Sequence, residues 1–309
     1  TGTLTENQMT VQEIMAGGQV FAVSGSGYAS EGEIAVKGGQ VIDHPDTALL
    51  ETLRCGLLCN DSLLVEKEGR LAVQGDPTEG ALITSAAKAG LSLQQESSAR
   101  RRIDTIPFES QHQYMATLHA APGGGAPIAY AKGSVESMLA RCETVLDREG
   151  NSTPLDEAEI QAAVESMASR GLRVLALARK ELPSGTQRLH HKDIAGGMVF
   201  LGLQGMIDPP RAEAIKAVRN CHTAGIRVKM ITGDHALTAS AIARQIGLAN
   251  AEKVITGAEL AKISDKELID LVSDVSVYAR VAPEQKLRLV EALQERGNVV
   301  AMTGDGVND

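Results

Sequence analysis

The sequence is poor in aromatic side chains and in cysteine. Its 309 residues include no tryptophan, three phenylalanines and four cysteines. The cysteines (Cys55, Cys59, Cys142 and Cys221) lack the paired spacing of a metal site. Cys55 and Cys59 stand one helical turn apart, which predicts two buried positions on one helix. Since most aromatic residues belong to the core, an aromatic side chain outside it would be informative.

Long hydrophobic runs and a basic surface are also missing. No apolar run approaches the roughly 18 residues of a membrane-spanning helix, and the polar N-terminal residues do not resemble a signal peptide. A formal net charge of -9 argues against nucleic acid as the main partner. The chain is 43% hydrophobic, which is enough for a substantial core and, at this length, about two domains.

The pattern over residues 9–207 predicts an α+β domain. Alternating apolar residues between glycines over 11–41 indicate short antiparallel strands, and residues 114–120 and 128–132 indicate a hairpin. Helices are predicted over 48–60, over 77–89 and from Ser134. Another helix is predicted to begin at Thr153, an N-cap followed by Pro154, and to end before Gly171, where a strand over 172–178 follows.

The pattern changes after about residue 206 to apolar strand, acidic loop and helix. Residues 226–231 lead into Thr-Gly-Asp at 232–234 and then into a helix over 237–246. Residues 298–302 lead into a second Thr-Gly-Asp at 303–305. Apolar strands that alternate with helices predict a parallel, doubly wound sheet with its site at the strands' carboxyl ends. Residues 1–3 (Thr-Gly-Thr) would follow a further strand, so we expect an incomplete α/β domain of residues 1–8 and 208–309.

The acidic loops suggest phosphate chemistry. Asp305 and Asp309 stand four residues apart around Asn308, in a turn that would direct oxygen atoms at Mg²⁺, although a Gly-Asp-Gly sequence is often only a turn. Thr232 supplies a hydroxyl, and a helix N-terminus near His235 offers amide donors to an anion. Lys286, in the first turn of a helix predicted over 283–294, opposes the helix dipole. It is either a solvated surface lysine or a ligand of a bound phosphate.

Ordered segments of the sequence resemble the motifs of P-type ATPases, within the haloacid-dehalogenase-like superfamily. They are residues 1–7, 208–211, 232–234, 282–286 and 303–309, so the resemblance covers essentially the whole chain. Residues 1–7 resemble the end of the phosphorylation motif Asp-Lys-Thr-Gly-Thr-Leu-Thr, whose nucleophilic Asp would precede Thr1. Gly-Asp-Pro-Thr-Glu at 75–79 and Asp-Pro-Pro-Arg at 208–211 are similar to the type II group, and bacterial calcium-transporting members look most similar.

The resemblance implies a fold, cofactors, partners and site residues. The fold is a haloacid-dehalogenase-like doubly wound parallel sheet, interrupted by an α+β nucleotide-binding domain with an antiparallel sheet. The cofactors are ATP and Mg²⁺, and the partners are the membrane and actuator domains of the same parent chain, at the cytoplasmic face of a membrane. The implied nucleotide-site residues are Glu79, Phe108, Lys132, Arg173, Asp208, Arg211 and Arg280. The implied phosphoryl-site residues are Thr1, Thr3, Thr232, Gly233, Asp234, Lys286, Asn308 and Asp309, with Thr3 and Asp305 at the metal.

Each nucleotide role has a structural alternative. Phe108 would stack on adenine or else be a core aromatic, and Lys132 and Arg173 would contact the nucleotide or else be solvated strand charges. Two departures from the family pattern stand nearby: Gln-His-Gln at 111–113 replaces basic residues, and Lys132 begins Lys-Gly-Ser-Val-Glu, which lacks the usual proline.

The sequence leaves three functions open. The first is the cytoplasmic region of an ATP-driven cation pump, which without the Asp nucleophile is expected to bind nucleotide but not to turn it over. The second is a soluble haloacid-dehalogenase-like phosphatase, and the third is an interaction module without catalysis. We further expect residues 9–207 to fold independently. The transported ion cannot be inferred, because ion ligands of such pumps lie in membrane helices.

Overall fold

The computed structural model describes residues 2–25, 27–28, 31–67 and 69–304, which form two compact units. The larger unit comprises Met9–Met167 and Arg173–Ile207. The smaller unit comprises the described residues up to Gln8, Ala168–Leu172, and the described residues from Asp208 onward.

The larger unit contains most of the strands. These are β1 (Thr10–Ala16), β2 (Gln19–Val23), β3 (Ile34–Val36), β4 (Leu63–Lys67), β5 (Arg70–Gln74), β6 (Arg102–Glu109), β7 (Tyr114–His119), β8 (Ile128–Gly133), β9 (Cys142–Leu146), β10 (Ser152–Pro154), β11 (Arg173–Glu181) and β12 (Met198–Ile207). The helices are α1 (Thr47–Leu58), α2 (Pro77–Lys88), α3 (Leu93–Ala99), α4 (Val135–Leu139) and α5 (Glu157–Ser169).

Most of these strands form one large sheet in the order β3-β2-β1-β12-β11-β8-β7-β6. Its pairings are antiparallel except that β9, which also pairs with β10, runs parallel to β12. Strands β4 and β5 form a separate hairpin. The predicted antiparallel sheet and the β7–β8 hairpin are therefore confirmed.

Helices α1 and α2 pack on one face of the large sheet and form its core. Leu49, Leu53 and Leu57 recur at helical spacing and are each at most 1% exposed, so each burial contributes about 1.5–3 kcal/mol. Asp side chains accept hydrogen bonds from first-turn amides at the N-termini of both helices. Cys55 and Cys59 are buried as predicted, and burial raises the pKa of both thiols.

The predicted helix start at Thr153 is wrong. Thr153 and Pro154 lie in β10, which pairs only with β9 among the described residues, and proline is tolerated in such an edge strand. Helix α5 begins at Glu157 because Asp156 is the better N-cap. Its Oδ1 accepts hydrogen bonds from the amides of Ala158 and Glu159 at 3.0 and 3.2 Å.

The smaller unit contains a short parallel sheet and a layer of helices. Its strands are β13 (Met230–Thr232), β14 (Val254–Thr256) and β15 (Val277–Ala279), in the order β13-β15-β14. Its helices are α6 (Ala212–Thr223), α7 (Ala236–Ile246), α8 (Gly257–Leu260), α9 (Asp265–Leu271) and α10 (Pro283–Glu295). Leu268, Tyr278 and Leu289 are among the buried residues of its core.

Two predicted strands of this unit differ from the structure. Only the last two residues of the 226–231 segment enter β13, and Ile226 is 57% exposed. Residues 298–302 form no strand: Asn298 bonds back to the carbonyl of Leu293, and Val299 is fully exposed, because no neighbouring strand pairs with this segment. The described residues thus contain a parallel sheet, but they do not confirm the doubly wound fold.

The described part of the chain contains no helix that is both long and apolar enough to cross a membrane.

We predict an acid-sensitive stability that depends on His119, a buried residue at the end of β7. Its Nδ1 lies 3.0 Å from the carbonyl oxygen of Arg100 and its Nε2 lies 2.9 Å from Thr117 Oγ1, so the neutral ring satisfies both groups. Burial lowers the pKa of His119 to about 4, and the charges of Arg102 and Arg100 act in the same direction. Between pH 7 and pH 5 His119 becomes protonated in the unfolded chain, whose histidine pKa is about 6.5, but stays neutral in the folded chain. Protonation therefore favours unfolding, and the free energy of unfolding should fall by about 2 kcal/mol over this interval.

Urea titrations at both pH values test this. Wild type should lose about 2 kcal/mol more than His119→Gln over that interval. Equal losses in the two proteins would show that His119 is not the group responsible.

Candidate functional site

Two cations from the large sheet bind the C-terminal end of α1. Arg102 of β6 donates to the carbonyl oxygens of Leu58 and Asn60 at 2.8 and 2.5 Å, and Lys132 of β8 donates to that of Cys59 at 2.5 Å. The last carbonyls of a helix have no intrahelical partner and carry partial negative charge, so cations are favoured there. This end of α1 is consequently fixed to β6 and β8.

Lys132 also forms a buried ion pair with Glu79 of α2. Its Nζ lies 2.6 Å from Glu79 Oε1, and the two side chains are 8% and 14% exposed. A buried ammonium requires such a partner, because an unpaired charge is strongly unfavourable away from water. The interpretation of Lys132 as a solvated strand charge is therefore wrong, and the structure brings two of the predicted site residues into direct contact.

Ser62 joins this pair to the start of α2. Its hydroxyl donates to Glu79 Oε2 at 2.8 Å and accepts from the amide of Asp76 at 2.9 Å. Gly75 makes this approach possible: its φ is +131°, and a Cβ there would lie 2.2 Å from Ser62 Oγ. The Gly-Asp-Pro-Thr-Glu segment thus supplies space for Ser62, an N-cap, the first helical proline and the carboxylate that pairs with Lys132.

Phe108 lies outside the core, at the edge of the large sheet. Its side chain is 62% exposed, so the core interpretation is wrong. Phe108 lies within the shift of the β6–β7 register between Ile106 and Glu109, and β7 pairs in turn with β8, the strand of Lys132. An exposed aromatic ring therefore stands two strands away from the buried Lys132–Glu79 pair.

The segment that departs from the family pattern is held by its own contacts. Gln111 donates to Glu109 Oε2 at 2.8 Å, and the ring centroids of His112 and His191 are 4.5 Å apart. Tyr114 Oη lies 2.5 Å from His191 Nδ1. His191, from a distant segment of the chain, thus contacts His112 and Tyr114 at the place where the family pattern has basic residues. Arg173, the other predicted nucleotide ligand of the larger unit, is exposed at the start of β11.

In the smaller unit, the predicted phosphoryl-site residues follow the parallel strands. Thr232 ends β13, and its Oγ1 lies 2.8 Å from Asp234 Oδ2 and accepts from the Asp234 amide at 3.1 Å. His235 is the N-cap of α7, which confirms the predicted helix start, and Gly233 is exposed. Lys286 is half-buried in the first turn of α10. These residues lie on the segments that leave the carboxyl ends of two adjacent strands, β13 and β15.

Arg280 has an unusual backbone conformation directly after β15. Its φ is +52°, a region that non-glycine residues seldom adopt and that is enriched at functional sites. Gly257 allows the close packing of this turn, since a Cβ there would lie 2.2 Å from the carbonyl oxygen of Arg280. The side chain of Arg280 is exposed.

Asp208 and Arg211 hold the segment of residues 2–8. Asp208 accepts hydrogen bonds from Thr5 Oγ1 at 2.6 Å and from the amide of Gln8 at 3.0 Å. Arg211 Nε donates to the carbonyls of Gly2 and Thr5 at 3.1 and 2.8 Å, and its Nη2 donates to Gly2 at 2.8 Å. Both side chains, which we predicted at the nucleotide site, are therefore engaged in fixing residues 2–8.

Replacing Arg211 by methionine should loosen that segment. Charge-assisted hydrogen bonds contribute about 1.5–3 kcal/mol, so amide hydrogen exchange across residues 2–8 should accelerate by at least about tenfold. Arg219→Met, which removes an exposed arginine on α6, is the matched control. Unchanged exchange in Arg211→Met would contradict the role assigned to these hydrogen bonds.

Some predicted residues lie outside the described part of the chain: Thr1, Asp305, Asn308 and Asp309. Of the two predicted Mg²⁺ ligands, only Thr3 is described, and it is half-buried. Among the described residues, no group of three or more His, Cys, Asp and Glu is placed to hold a metal ion. Ser62 and Arg102 were not predicted: Ser62 ends the polar run Asn-Asp-Ser at 60–62 after an apolar helix, and Arg102 ends the run of three arginines at 100–102.

The exposed aromatic ring of Phe108 stands two strands away from a buried lysine–carboxylate pair, in a unit whose antiparallel sheet is covered by two helices, and this arrangement defines a candidate ligand-binding domain. A family model for the P-type ATPase cytoplasmic domain N matches residues 48–213, which include all of these groups. The chain therefore belongs to the P-type ATPase family.

The chain is also similar over its whole length to curated cation pumps. It is 54% identical to cation-transporting ATPase pma1 of Synechocystis sp., 38% identical to a calcium-transporting ATPase of Bacillus subtilis and 37% identical to human calcium-transporting ATPase type 2C member 1. It covers 35%, 35% and 32% of these proteins respectively. The chain thus spans about a third of the length of the relatives it matches.

Proposed function

We propose that this chain is the ATP-binding and phosphorylation region of an ATP-driven cation pump. The observation that carries the proposal is the exposed Phe108 on β6, two strands away from the strand whose Lys132 forms the buried ion pair with Glu79. An aromatic side chain exposed to this degree has no packing role, whereas its face can stack on a nucleotide base. The residues 48–213 that match the family model contain this site.

In this proposal, Phe108 stacks on adenine and Glu79 receives the base's amino group. Lys132 is already neutralised by Glu79, so it lines the pocket and holds the carboxylate in place. Arg173 is exposed and carries a charge suited to the polyphosphate. The division of roles follows from burial, since only an accessible cation can reach a phosphate without leaving another charge unpaired.

The smaller unit would belong to a haloacid-dehalogenase-like phosphorylation domain formed by residues 1–8 and 208–309, with residues 9–207 as the nucleotide-binding domain. In the parent protein an Asp preceding Thr1 would accept the γ-phosphoryl group, and bound Mg²⁺ would neutralise developing charge. Thr3 and Asp305 would hold the Mg²⁺. The side chains proposed around the phosphoryl group are those of Thr1, Thr232, Asp234, Lys286, Asn308 and Asp309, together with the backbone of Gly233.

The parent protein would couple this reaction to cation transport, with its membrane and actuator domains as partners and this region at the cytoplasmic face. Calcium is the ion we propose, because the Bacillus subtilis and human relatives carry calcium in their names. Uptake of radioactive calcium into vesicles that contain the parent protein would test this choice. Transport of another cation without calcium would overturn it.

Calorimetric titration of ATP, with and without Mg²⁺, tests the nucleotide site. Saturable binding to the wild-type chain that weakens in Lys132→Ala would support the proposal, provided that thermal melting shows the variant to be folded. Absence of binding to folded wild-type protein would contradict it and favour the interaction module. Steady hydrolysis of p-nitrophenyl phosphate by the chain would instead favour the phosphatase.

A further inference from the structure

We propose that Ser62 makes the site selective for adenine by positioning the carboxylate of Glu79. This inference rests on the proposed function, because it concerns the base that Glu79 would recognise. Ser62 itself would not touch the nucleotide. It is a positioning residue that acts through Glu79.

Both carboxylate oxygens of Glu79 accept hydrogen bonds. One carboxylate oxygen accepts from Lys132 at 2.6 Å, and the other accepts from Ser62 at 2.8 Å and from the amide of Asp61 at 3.2 Å. The terminal torsion of a glutamate is broad, so one partner alone would not fix the carboxylate plane. Donors on both oxygens do fix it, and Glu79 retains 14% exposure.

Ser62 is itself held in place by burial and by hydrogen bonds to its neighbours. Its side chain is 3% exposed, and its hydroxyl also accepts from the amide of Asp76. The backbone of Gly75 lies against the Ser62 hydroxyl, since a Cβ at position 75 would be only 2.2 Å from Ser62 Oγ. Asn60 adds a tie, because its side chain accepts from the Ser62 amide at 2.9 Å and donates to the Glu79 carbonyl at 2.9 Å. Ser62 therefore cannot follow a rotated carboxylate, and it sets the position from which Glu79 acts.

A carboxylate in a fixed position distinguishes adenine from guanine. Adenine presents an amino donor at the position where guanine presents a carbonyl acceptor. A carboxylate is an acceptor only, so a fixed Glu79 would bind the adenine amino group and repel the guanine oxygen. Without Ser62, Oε2 would keep only the longer contact from the Asp61 amide at 3.2 Å, so the carboxylate would be less restrained and could turn to avoid that repulsion. Loss of Ser62 should consequently weaken selection between the bases more than it weakens binding in general.

The test is calorimetric titration of ATP and of GTP into wild type, Ser62→Ala and Thr84→Val. Thr84 is the matched control, because its buried hydroxyl donates to the Gly80 carbonyl of its own helix and not to Glu79. In Ser62→Ala the Kd for ATP should rise by about tenfold, the Kd for GTP by less than about twofold, and the ratio between them should fall accordingly. Thr84→Val should keep the wild-type ratio even if its melting temperature falls.

The outcomes separate this inference from the proposed function. Folded wild type that binds neither nucleotide overturns both. Wild type that prefers ATP, with a Ser62→Ala variant that keeps the same ratio or loses both affinities equally, overturns the role of Ser62 alone. If Ser62→Ala does not fold, Ser62→Cys keeps the same branching with a slightly larger and much weaker donor, and the same ratio decides.

Discussion

Replacing Phe108 by alanine is expected to raise the Kd for ATP by roughly 5- to 150-fold. Stacking of a base on an aromatic side chain contributes about 1–3 kcal/mol, which corresponds to that range. Stability should change by no more than about 0.5 kcal/mol, because the ring is 62% exposed and leaves no cavity when removed. Calorimetry and thermal melting on the same preparations measure the two quantities.

Val41→Ala is the control for Phe108→Ala. Val41 is 48% exposed on the same unit and belongs to none of the predicted sites, so its loss should leave ATP binding unchanged. Phe108→Tyr or Phe108→Trp should retain binding, because both keep an aromatic face. Wild-type affinity in Phe108→Ala would show that the ring does not stack on the base.

Replacing Glu79 by alanine is expected to destabilise the larger unit by about 3–5 kcal/mol, because it leaves the Lys132 ammonium buried with a single carbonyl partner. Lys132→Met should cost less. Glu79 then loses its counter-ion, but its partly exposed carboxylate keeps donors from Ser62 and Asp61. Urea unfolding of each variant measures the difference.

The double variant Glu79→Ala/Lys132→Met completes this comparison. It should be more stable than Glu79→Ala alone, because removing the second partner relieves the unpaired charge. Strict additivity of the two single changes would mean that the contact between Glu79 and Lys132 contributes no coupling energy. A cost in Glu79→Ala no larger than that of an exposed substitution would show that the ammonium finds water or another partner.

Local signals in the sequence predicted the elements that local interactions define. The leucines of α1 lie on one buried helix face, and Asp76 followed by Pro77 marks the start of α2, so both helices were predicted within one or two residues. At Thr153 two local signals competed. Asp156 capped the helix, while Pro154 entered a strand whose partner β9 precedes it in the chain.

The arrangement of the candidate site could not be predicted in this way. Glu79 and Lys132 are 53 residues apart, and Ser62 is 17 residues from Glu79. Their contacts exist only because α1 and α2 pack across the same strands. The exposed Phe108 lies within a shift in register at the sheet edge, which no spacing in the sequence records. Motif order predicted roles for Glu79, Phe108 and Lys132, and the tertiary structure determines which residues they contact.

The strand pairing at the ends of the larger unit has a consequence for protein engineering. Its first and last strands, β1 and β12, are neighbours, and Thr10 pairs with Ile207. A segment whose two ends are already adjacent costs a surrounding domain little loop-closure entropy, and this cost also grows only slowly with the length of the segment. By the same reasoning, excising residues 9–207 or grafting them into another host loop should leave the excised module with adjacent, easily joined termini.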